Sequence, residues 1–213
     1  MTREITPAEI RDLVGTSPFI IEIGCNDGTD TAKMLAAMPE ARFYCFEPEL
    51  RALSRFCLRD HPQVTLIALA VAHRSGALDF WPSTGVVPGS SAPCANDWDY
   101  SGGLSHPTGH LIRDKVVRFK EPIRVPTITL DSLVHQYPDV VDFIWQDVQG
   151  AEAKVILGGR ETLRRTRYLY TEYYDTPQYD RQPNLEALIS FLPDFDVVAL
   201  YNGNVLFKNR TIA

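Results

Sequence analysis

One apolar run followed by a glycine turn constrains this chain more than any other part of the sequence. Residues Phe19–Ile23 form a short apolar run typical of a buried strand, and Gly24 and Gly28 bracket the turn that follows. Residues 29–38 then have the spacing of an amphipathic helix, and the next apolar run ends at Glu47. This order predicts a strand–turn–helix–strand unit in which glycines let a ligand approach the backbone and a carboxylate binds ribose hydroxyls. The sequence therefore predicts a site for an adenosine-containing cofactor.

The residues around the two glycines separate two classes of cofactor. Dinucleotide enzymes use the spacing G-x-G-x-x-G, whereas here Asn26 stands at the second glycine and the turn carries three acids, which are Glu22, Asp27 and Asp30. Carboxylates repel a pyrophosphate but attract the ammonium and sulfonium groups of S-adenosylmethionine. The order E-x-G-x-x-x-G is also the first motif of methyltransferases. The turn thus favours S-adenosylmethionine, and the alternative is a tight turn that binds nothing.

The length and net charge of the chain limit the number of domains and the kinds of partner that we expect. A length of 213 residues fits a single domain, 1–213, and a net charge of −6 argues against a nucleic-acid partner, because phosphate binding needs a basic surface. No apolar run reaches membrane-spanning length, so we expect no membrane partner. The four cysteines lack the paired spacing of metal ligands and are typical of core residues in a reducing compartment, so we expect a cytoplasmic protein.

Predicted strands alternate with predicted helices along the chain. The strands cover residues 19–23, 42–46, 64–69, 77–81, 123–127, 141–146, 167–171, 195–200 and 205–208. A first helix is capped by Thr6 and ends at Gly15, and further helices cover residues 29–38, 48–59, 130–137, 151–157 and 184–192. The last two strands meet across Asn202-Gly203, a strong hairpin signal. We predict an α/β fold of the class I methyltransferase type: a Rossmann-like, doubly wound sheet of seven core strands, mostly parallel, with a C-terminal antiparallel hairpin.

Residues 82–121 interrupt this alternation. The segment is rich in Gly, Ser, Pro and Asn and shows little apolar periodicity, yet it contains Trp98, Tyr100, His106 and His110. A bare linker needs neither aromatic residues nor histidines, so we expect a lid over the active site, with a solvated insertion as the alternative.

Several motifs resemble those of the FkbM family of S-adenosylmethionine-dependent methyltransferases over nearly the whole chain. They are residues 22–28, Phe46-Glu47-Pro48, residues 68–70 with Ser75-Gly76, Ser90-Ser91, residues 125–131 and residues 141–152. The last is similar to the family segment K-I-D-V-E-G-x-E; it keeps Asp147, Gly150 and Glu152 but has Trp145 and Gln149 where lysine and glutamate are usual. The resemblance implies O-methylation of a hydroxyl on a sugar, a glycan or a related natural product.

The cofactor residues follow position by position. We expect Gly24 and Gly28 to admit the methionyl part, Glu22 to lie near its ammonium, and its carboxylate to bind Asn26 and Thr29 at a helix N-terminus. Glu47, for which the sequence suggests no structural role, is expected to bind both ribose hydroxyls. Leu69 and Ala70, at the end of the third strand, are expected to pack against the adenine, and Asp147 is a further candidate for cofactor contact.

Two acids end neighbouring strands of the predicted sheet. Asp147 and Glu172 are expected to face the crevice at the carboxyl ends of the strands, and Asp175 follows one short loop later. Catechol-type O-methyltransferases bind Mg²⁺ with such carboxylates, so Asp147, Glu172 and Asp175 are candidate metal ligands. The candidate general base is Asp147, then His106 or His110, with Glu172 as a further catalytic candidate. In the alternative interpretation, Asp147 contacts the cofactor and Glu172 bonds exposed backbone.

A tyrosine-rich stretch after the last predicted parallel strand leaves two interpretations open. A small-molecule or glycan acceptor could stack on the aromatic rings of this stretch and hydrogen-bond to its polar groups. The same residues are equally typical of the interface of a homo-oligomer. Two other functions remain as alternatives, a nicotinamide-dependent oxidoreductase and a non-catalytic module that binds an adenosine cofactor.

Overall fold

Seven strands form one central sheet in the computed structural model, which describes residues 4–92, 94–113 and 116–212. The strands of this sheet are β1 (Phe19–Ile23), β2 (Arg42–Phe46), β3 (Val64–Ile67), β9 (Val141–Gln146), β10 (Thr166–Glu172), β11 (Phe195–Leu200) and β12 (Asn204–Asn209). Their order across the sheet is β3-β2-β1-β9-β10-β12-β11, and only the pairs β10–β12 and β12–β11 are antiparallel. The predicted fold class is confirmed.

The other elements surround this sheet. Two smaller sheets are formed by β4 (Ala70–Val71), β5 (Gly76–Phe80) and β8 (Ile123–Ile128), and by β6 (Ser83–Thr84) and β7 (Arg118–Phe119). The helices are α1 (Pro7–Val14), α2 (Thr29–Ala37), α3 (Leu50–Arg55), α4 (His110–Arg113), α5 (Glu152–Gly158), α6 (Arg160–Arg164), α7 (Leu185–Phe191) and a 3₁₀ helix (Leu130–Gln136). In the described part of the chain, none of these helices has the length and apolarity to span a membrane.

The position of β1 explains where a site can form. All five residues of β1 are buried, as expected of a central parallel strand covered on both faces. β1 pairs with β2 on one side and with β9 on the other, so the strand order reverses beside it. Ligands of open α/β sheets bind at such a reversal, outside the carboxyl ends of the strands.

The third strand ends earlier than predicted. β3 stops at Ile67, whose carbonyl accepts a hydrogen bond from the Leu69 amide at 2.8 Å, and Ala70 belongs to β4 in a separate sheet, where it pairs with Thr127 of β8. The apolar run across residues 64–70 conceals this change because both pieces are strands with buried residues. Leu69 and Ala70 therefore follow the third strand rather than end it.

Two helices also differ from expectation. α3 covers six residues, far fewer than the predicted 48–59, because the chain after Phe56 leaves the helix and the Cys57 amide donates to the Asp27 carbonyl at 2.9 Å. The five-residue helix α6 was not predicted. Such short helices contain too few turns to show an apolar period.

Asp131, in the 125–131 motif, fixes the start of α6. Its Oδ1 accepts hydrogen bonds from the Thr162 amide at 2.8 Å and the Thr162 hydroxyl at 2.9 Å, and its Oδ2 accepts from the Glu161 amide at 3.1 Å. A helix N-terminus leaves backbone amides without intrahelical partners, and this carboxylate supplies the missing acceptors.

We expect Asp131→Ala to lower the free energy of unfolding by about 1–3 kcal/mol, because several donors lose a charged acceptor. Urea titration followed by circular dichroism measures this change. Asp131→Asn, which keeps one acceptor oxygen, is the matched variant and should lose less. Equal stability of the alanine variant and the parent protein would contradict the assignment.

Candidate active site

Two connected cavities lie at the carboxyl ends of β1, β2 and β9. Both are lined by Gly24, Asn26, Tyr100, Asp147 and Gln149, so they are parts of one cleft. The first cavity has about 600 Å³ of empty space including its open mouth, and is also lined by Glu47, Leu69, Ala70 and Phe80. The second is also lined by Glu22, Thr29, Trp98, His110, Trp145 and Tyr174.

The glycine turn after β1 has a shape that side chains would disrupt. Gly24 has φ of +87°, and a Cβ there would lie 1.8 Å from the Asp147 carbonyl oxygen. Gly28 has φ of +81°, and a Cβ there would lie 2.8 Å from Cε2 of Phe56. Both glycines are therefore required by the fold. Gly24 also lines both cavities, whereas Gly28 is outside their described lining and has a structural role.

Glu47 directly follows β2 and has a structural role that the sequence did not suggest. Its Oε2 accepts a hydrogen bond from the Asn26 amide at 3.0 Å, and its Oε1 accepts one from the Glu49 amide at 2.8 Å. Burial raises the pKa of Glu47 to about 7, and only 6% of the residue is exposed. The expectation that Glu47 has no structural role was wrong. A carboxylate oxygen has two lone pairs, so both oxygens can still accept from ribose hydroxyls.

Three polar residues surround the turn beside Gly24. The buried Glu22 accepts a hydrogen bond from the Thr31 hydroxyl, and burial raises its pKa well above the usual range. Asp27 accepts from the Thr29 amide at 3.1 Å. Asn26 Oδ1 is buried and has no hydrogen-bond partner in the described ranges. A buried acceptor without a partner fits a ligand that donates a hydrogen bond here, as an ammonium group does.

Asp147 and Glu172 form a pair of carboxyl groups, as the sequence predicted from their places at the ends of β9 and β10. The Gln149 amide nitrogen lies 2.6 Å from Asp147 Oδ1 and 3.2 Å from Glu172 Oε2. Burial raises the pKa of Asp147 to about 6; burial and the Asp147 charge raise the pKa of Glu172 well above its usual value. Two carboxyl groups that interact in this way titrate together. Asp147 lines both cavities, whereas Glu172 is outside their described lining.

The orientation of Gln149 is set by Tyr179. The Tyr179 hydroxyl shares its one hydrogen between Gln149 Oε1 at 2.9 Å and the Ser101 carbonyl oxygen at 2.8 Å. With its oxygen on Tyr179, the Gln149 amide has its nitrogen directed at the two carboxyl groups. Gln149 has a positive φ of 50°, and a Cβ at the neighbouring Gly150 would lie 2.3 Å from Tyr179 Cβ. The backbone therefore bends at this point to fit the tyrosine.

The structure separates the other candidates for catalysis. His110 lines the second cavity and packs its ring against Phe119 and Tyr179, at centroid distances of 5.3 and 5.7 Å. His106 is exposed, packs against Trp81, and is outside the described lining of both cavities. The geometry therefore does not bring His106 to the cleft.

The predicted Mg²⁺ site does not fit the described residues. Asp175 is exposed and outside the described lining of the cleft, and no group of three or more His, Cys, Asp or Glu residues in the described ranges is arranged to hold a metal. The Gln149 amide nitrogen, a donor, occupies the space between Asp147 and Glu172. A cation needs acceptors there.

Residues 82–121 supply part of the cleft that the sequence did not specify. The Tyr100 hydroxyl donates to Asp27 Oδ2 at 3.0 Å, Arg55 pairs with Asp99 at 2.6 Å, and Arg51 pairs with Asp97 at 2.8 Å. These contacts join the segment to α3 and to the glycine turn. Asp99 carried no sequence signal, and Tyr100 was marked only as one of the aromatic residues of the segment, because a segment without periodicity does not reveal its contacts.

Comparison with known proteins shows the family of the chain. The family model described as the methyltransferase FkbM domain matches residues 22–199. The 2-O-methyltransferase NoeI of Sinorhizobium fredii (strain NBRC 101917 / NGR234) is 42% identical over 202 residues, which cover 92% of this chain and 81% of NoeI.

Solved structures share the fold at low sequence identity. A Klebsiella pneumoniae protein assigned as an O-methyltransferase has a TM-score of 0.53 and 14% identity, covering 97% of this chain and 81% of that protein. A Clostridium thermocellum protein assigned as an rRNA methylase has a TM-score of 0.52 and 12% identity, covering 95% and 92%. The oxidoreductase alternative is not favoured by these similarities. The chain belongs to the FkbM family and is an S-adenosylmethionine-dependent methyltransferase.

Proposed function

We propose that this enzyme methylates a hydroxyl of a sugar or a related polyhydroxylated metabolite, and that Asp147 removes the proton of that hydroxyl. The observation that carries the proposal is the position of Asp147. This carboxylate lies where the two cavities meet, held by Gln149 and supported by Glu172. A general base must reach both the acceptor and the methyl donor, and this junction is where both would be in reach.

The first cavity is the proposed site of the nucleoside. Glu47 would accept hydrogen bonds from the ribose hydroxyls, and Leu69 and Ala70 would contact the adenine. The methionyl part would extend past Gly24 into the second cavity, where its ammonium would donate to Asn26 Oδ1 and lie near Glu22, and where Thr29 lies at the start of α2. The closely packed Gly24 and the acceptor without a partner at Asn26 both support this placement.

The remainder of the second cavity is the proposed acceptor site. Its lining includes the rings of Trp98, Trp145 and Tyr174, which suit the apolar faces of a sugar ring, while its acids suit sugar hydroxyls. The similarity to a 2-O-methyltransferase points in the same direction and makes a hydroxyl next to the anomeric carbon the first candidate. A homo-oligomeric state and the absence of a nucleic-acid partner remain predictions.

Bound S-adenosylmethionine supplies an electrophilic methyl group, so the residues of the chain have to orient the acceptor oxygen and take up its proton. Asp147, when ionised, would accept that proton as the oxygen–carbon bond forms. Burial raises the pKa of both carboxyl groups; the Asp147 charge raises the pKa of Glu172 further, whereas Glu172 lowers the pKa of Asp147. Glu172 would therefore act through Asp147, by favouring its ionised form. Residues 82–121 would close over both ligands as a lid within one domain and exclude water from the reaction.

This function is tested by measuring methylation of a panel of monosaccharide glycosides by the purified enzyme. NMR of the products then identifies the methylated hydroxyl. We expect Asp147→Asn to lower kcat by about 10²- to 10⁴-fold. For the parent enzyme, kcat/KM should increase with pH through about 6, where Asp147 loses its proton, and then level off. Asp175→Asn, at an exposed acid, is the matched control. A fully active Asp147→Asn variant would contradict the assignment of the base.

The role of Gln149 predicts an effect at Tyr179. Tyr179→Phe removes the O–H donor that fixes the amide, so the Asp147 carboxylate loses a well-oriented hydrogen bond and its pKa increases. We expect kcat to fall by about tenfold and the acidic limb of the pH–rate profile to move to higher pH. Tyr170→Phe, at another buried tyrosine, should leave the limb in place. An unchanged limb in Tyr179→Phe would show that the tyrosine does not position the amide.

Because the described residues do not fit Mg²⁺, we predict that activity does not depend on this metal. Dialysis against EDTA should leave kcat unchanged, and added Mg²⁺ should not increase it, since Asp147 and Glu172 already bond to the Gln149 amide. Steady-state rates before and after dialysis provide the measurement. If activity is lost on dialysis and only Mg²⁺ restores it, the enzyme needs the metal and this prediction is wrong.

A further inference from the structure

Asp99 is a buried carboxylate in the wall of the first cavity. Only 4% of the residue is exposed, and it lines this cavity together with Glu47, Pro48 and Tyr100. Its Oδ2 is paired with the Arg55 guanidinium at 2.6 Å. A buried carboxylate normally has hydrogen bonds on both oxygens, because an acceptor without a donor loses the hydration it had in water.

The second oxygen of Asp99 has no such donor. Asp99 Oδ1 is buried and has no hydrogen-bond partner among the residues that the structure describes. Three acidic groups face Asp99: the Cys94 thiol, whose pKa is raised by burial and by its contact with Asp99, and the Glu47 carboxyl and Tyr100 hydroxyl, whose pKa values are raised by burial and by the Asp99 charge. Arg55 is the cation that pairs with Asp99, and among the described residues Oδ1 has no hydrogen-bond partner.

We propose that Asp99 Oδ1 accepts a hydrogen bond from the nucleoside of the cofactor, so that the 82–121 segment contributes directly to cofactor recognition. Adenosine offers three donor groups: the 2′-hydroxyl, the 3′-hydroxyl and the 6-amino group. The proposal rests on the placement of the nucleoside in the first cavity. It adds a binding residue from outside the strand–turn–helix unit that the sequence identifies as the cofactor site.

The ion pair with Arg55 does not by itself explain Asp99. One oxygen satisfies that pair, and the side chain of Asp99 is fully buried. Asp97, two residues earlier, is an acid of the same segment whose contacts are those of a residue that only anchors the segment. It pairs with Arg51 and accepts a hydrogen bond from the Thr84 hydroxyl at 2.6 Å, yet its side chain is 49% exposed and outside the described lining of both cavities.

This contrast gives a matched pair of variants, Asp99→Asn and Asp97→Asn. Each removes one carboxylate that bonds an arginine of α3, but only Asp99 faces the nucleoside. The ligand is S-adenosylhomocysteine, measured by calorimetry, because it lacks the sulfonium charge and so reduces the general effect of losing an acid. We expect Asp99→Asn to weaken binding about 10- to 100-fold and Asp97→Asn to weaken it by less than about threefold.

Three analogues identify the donor: S-inosylhomocysteine, which lacks the 6-amino group, and the 2′-deoxy and 3′-deoxy forms of S-adenosylhomocysteine. For the analogue that lacks the donor, Asp99→Asn should cause little further loss, since the contact is already absent. Arg55→Gln breaks the same ion pair but keeps the Asp99 carboxylate, so it should retain the discrimination between analogues. Thermal unfolding without ligand shows whether each variant folds.

Two results would overturn the inference. One is equal affinity of the Asp99→Asn and Asp97→Asn variants, and the other is a loss in Asp99→Asn that is the same for every analogue, which would indicate a disturbed lid. Glu47→Gln tests the underlying placement separately. If Glu47→Gln weakens binding and Asp99→Asn does not, the nucleoside lies in the first cavity and only the role of Asp99 fails; if neither weakens it, the placement itself is wrong.

Discussion

The contact between Gly24 and Asp147 is the constraint on which the cleft depends. The Asp147 amide donates to the Ile23 carbonyl at 2.9 Å, which continues the β1–β9 pairing by one residue beyond the strands. The Asp147 carbonyl then lies where a side chain at residue 24 would be, so only glycine fits. This contact places the turn that would hold the methionyl group against the carboxylate that would act as base. The proposed cofactor site and the proposed catalytic site therefore lie on either side of this one backbone contact.

Burial of acids is the second property that unifies the site. Glu22, Glu47, Asp147, Glu152 and Glu172 all have pKa values raised by burial. Burial disfavours the ionised forms, and a cationic ligand favours them, so the sulfonium and ammonium groups of the cofactor would draw these carboxyl groups towards ionisation. Acids with raised pKa values therefore suit a cationic ligand and would release protons as it binds.

The sequence predicted the central sheet well because its strands are continuous apolar runs, and buried parallel strands need no other signal. Glu47, Asp147 and Glu172 were located because each ends such a run. The end of β3 was missed because β4 follows after two residues and continues the apolar pattern. Asp99, Tyr100 and the role of Tyr179 were beyond prediction, since contacts between residues distant in sequence, such as Tyr179 with Ser101 and Tyr100 with Asp27, leave no local period.

The two arginines of α3 limit how the 82–121 segment of this enzyme can be replaced. Arg51 and Arg55 lie one helical turn apart, shortly after β2, and both bond to acids of the 82–121 segment. The segment proposed to cover the acceptor is thus attached to α3, beside the proposed ribose contact, as well as to the loop after β10 through Tyr179 and Ser101. A segment grafted from another enzyme, to accept a different substrate, would have to bring partners for these arginines or replace α3 with it. Exchange of acceptor specificity would therefore also involve a helix outside the described lining of the second cavity.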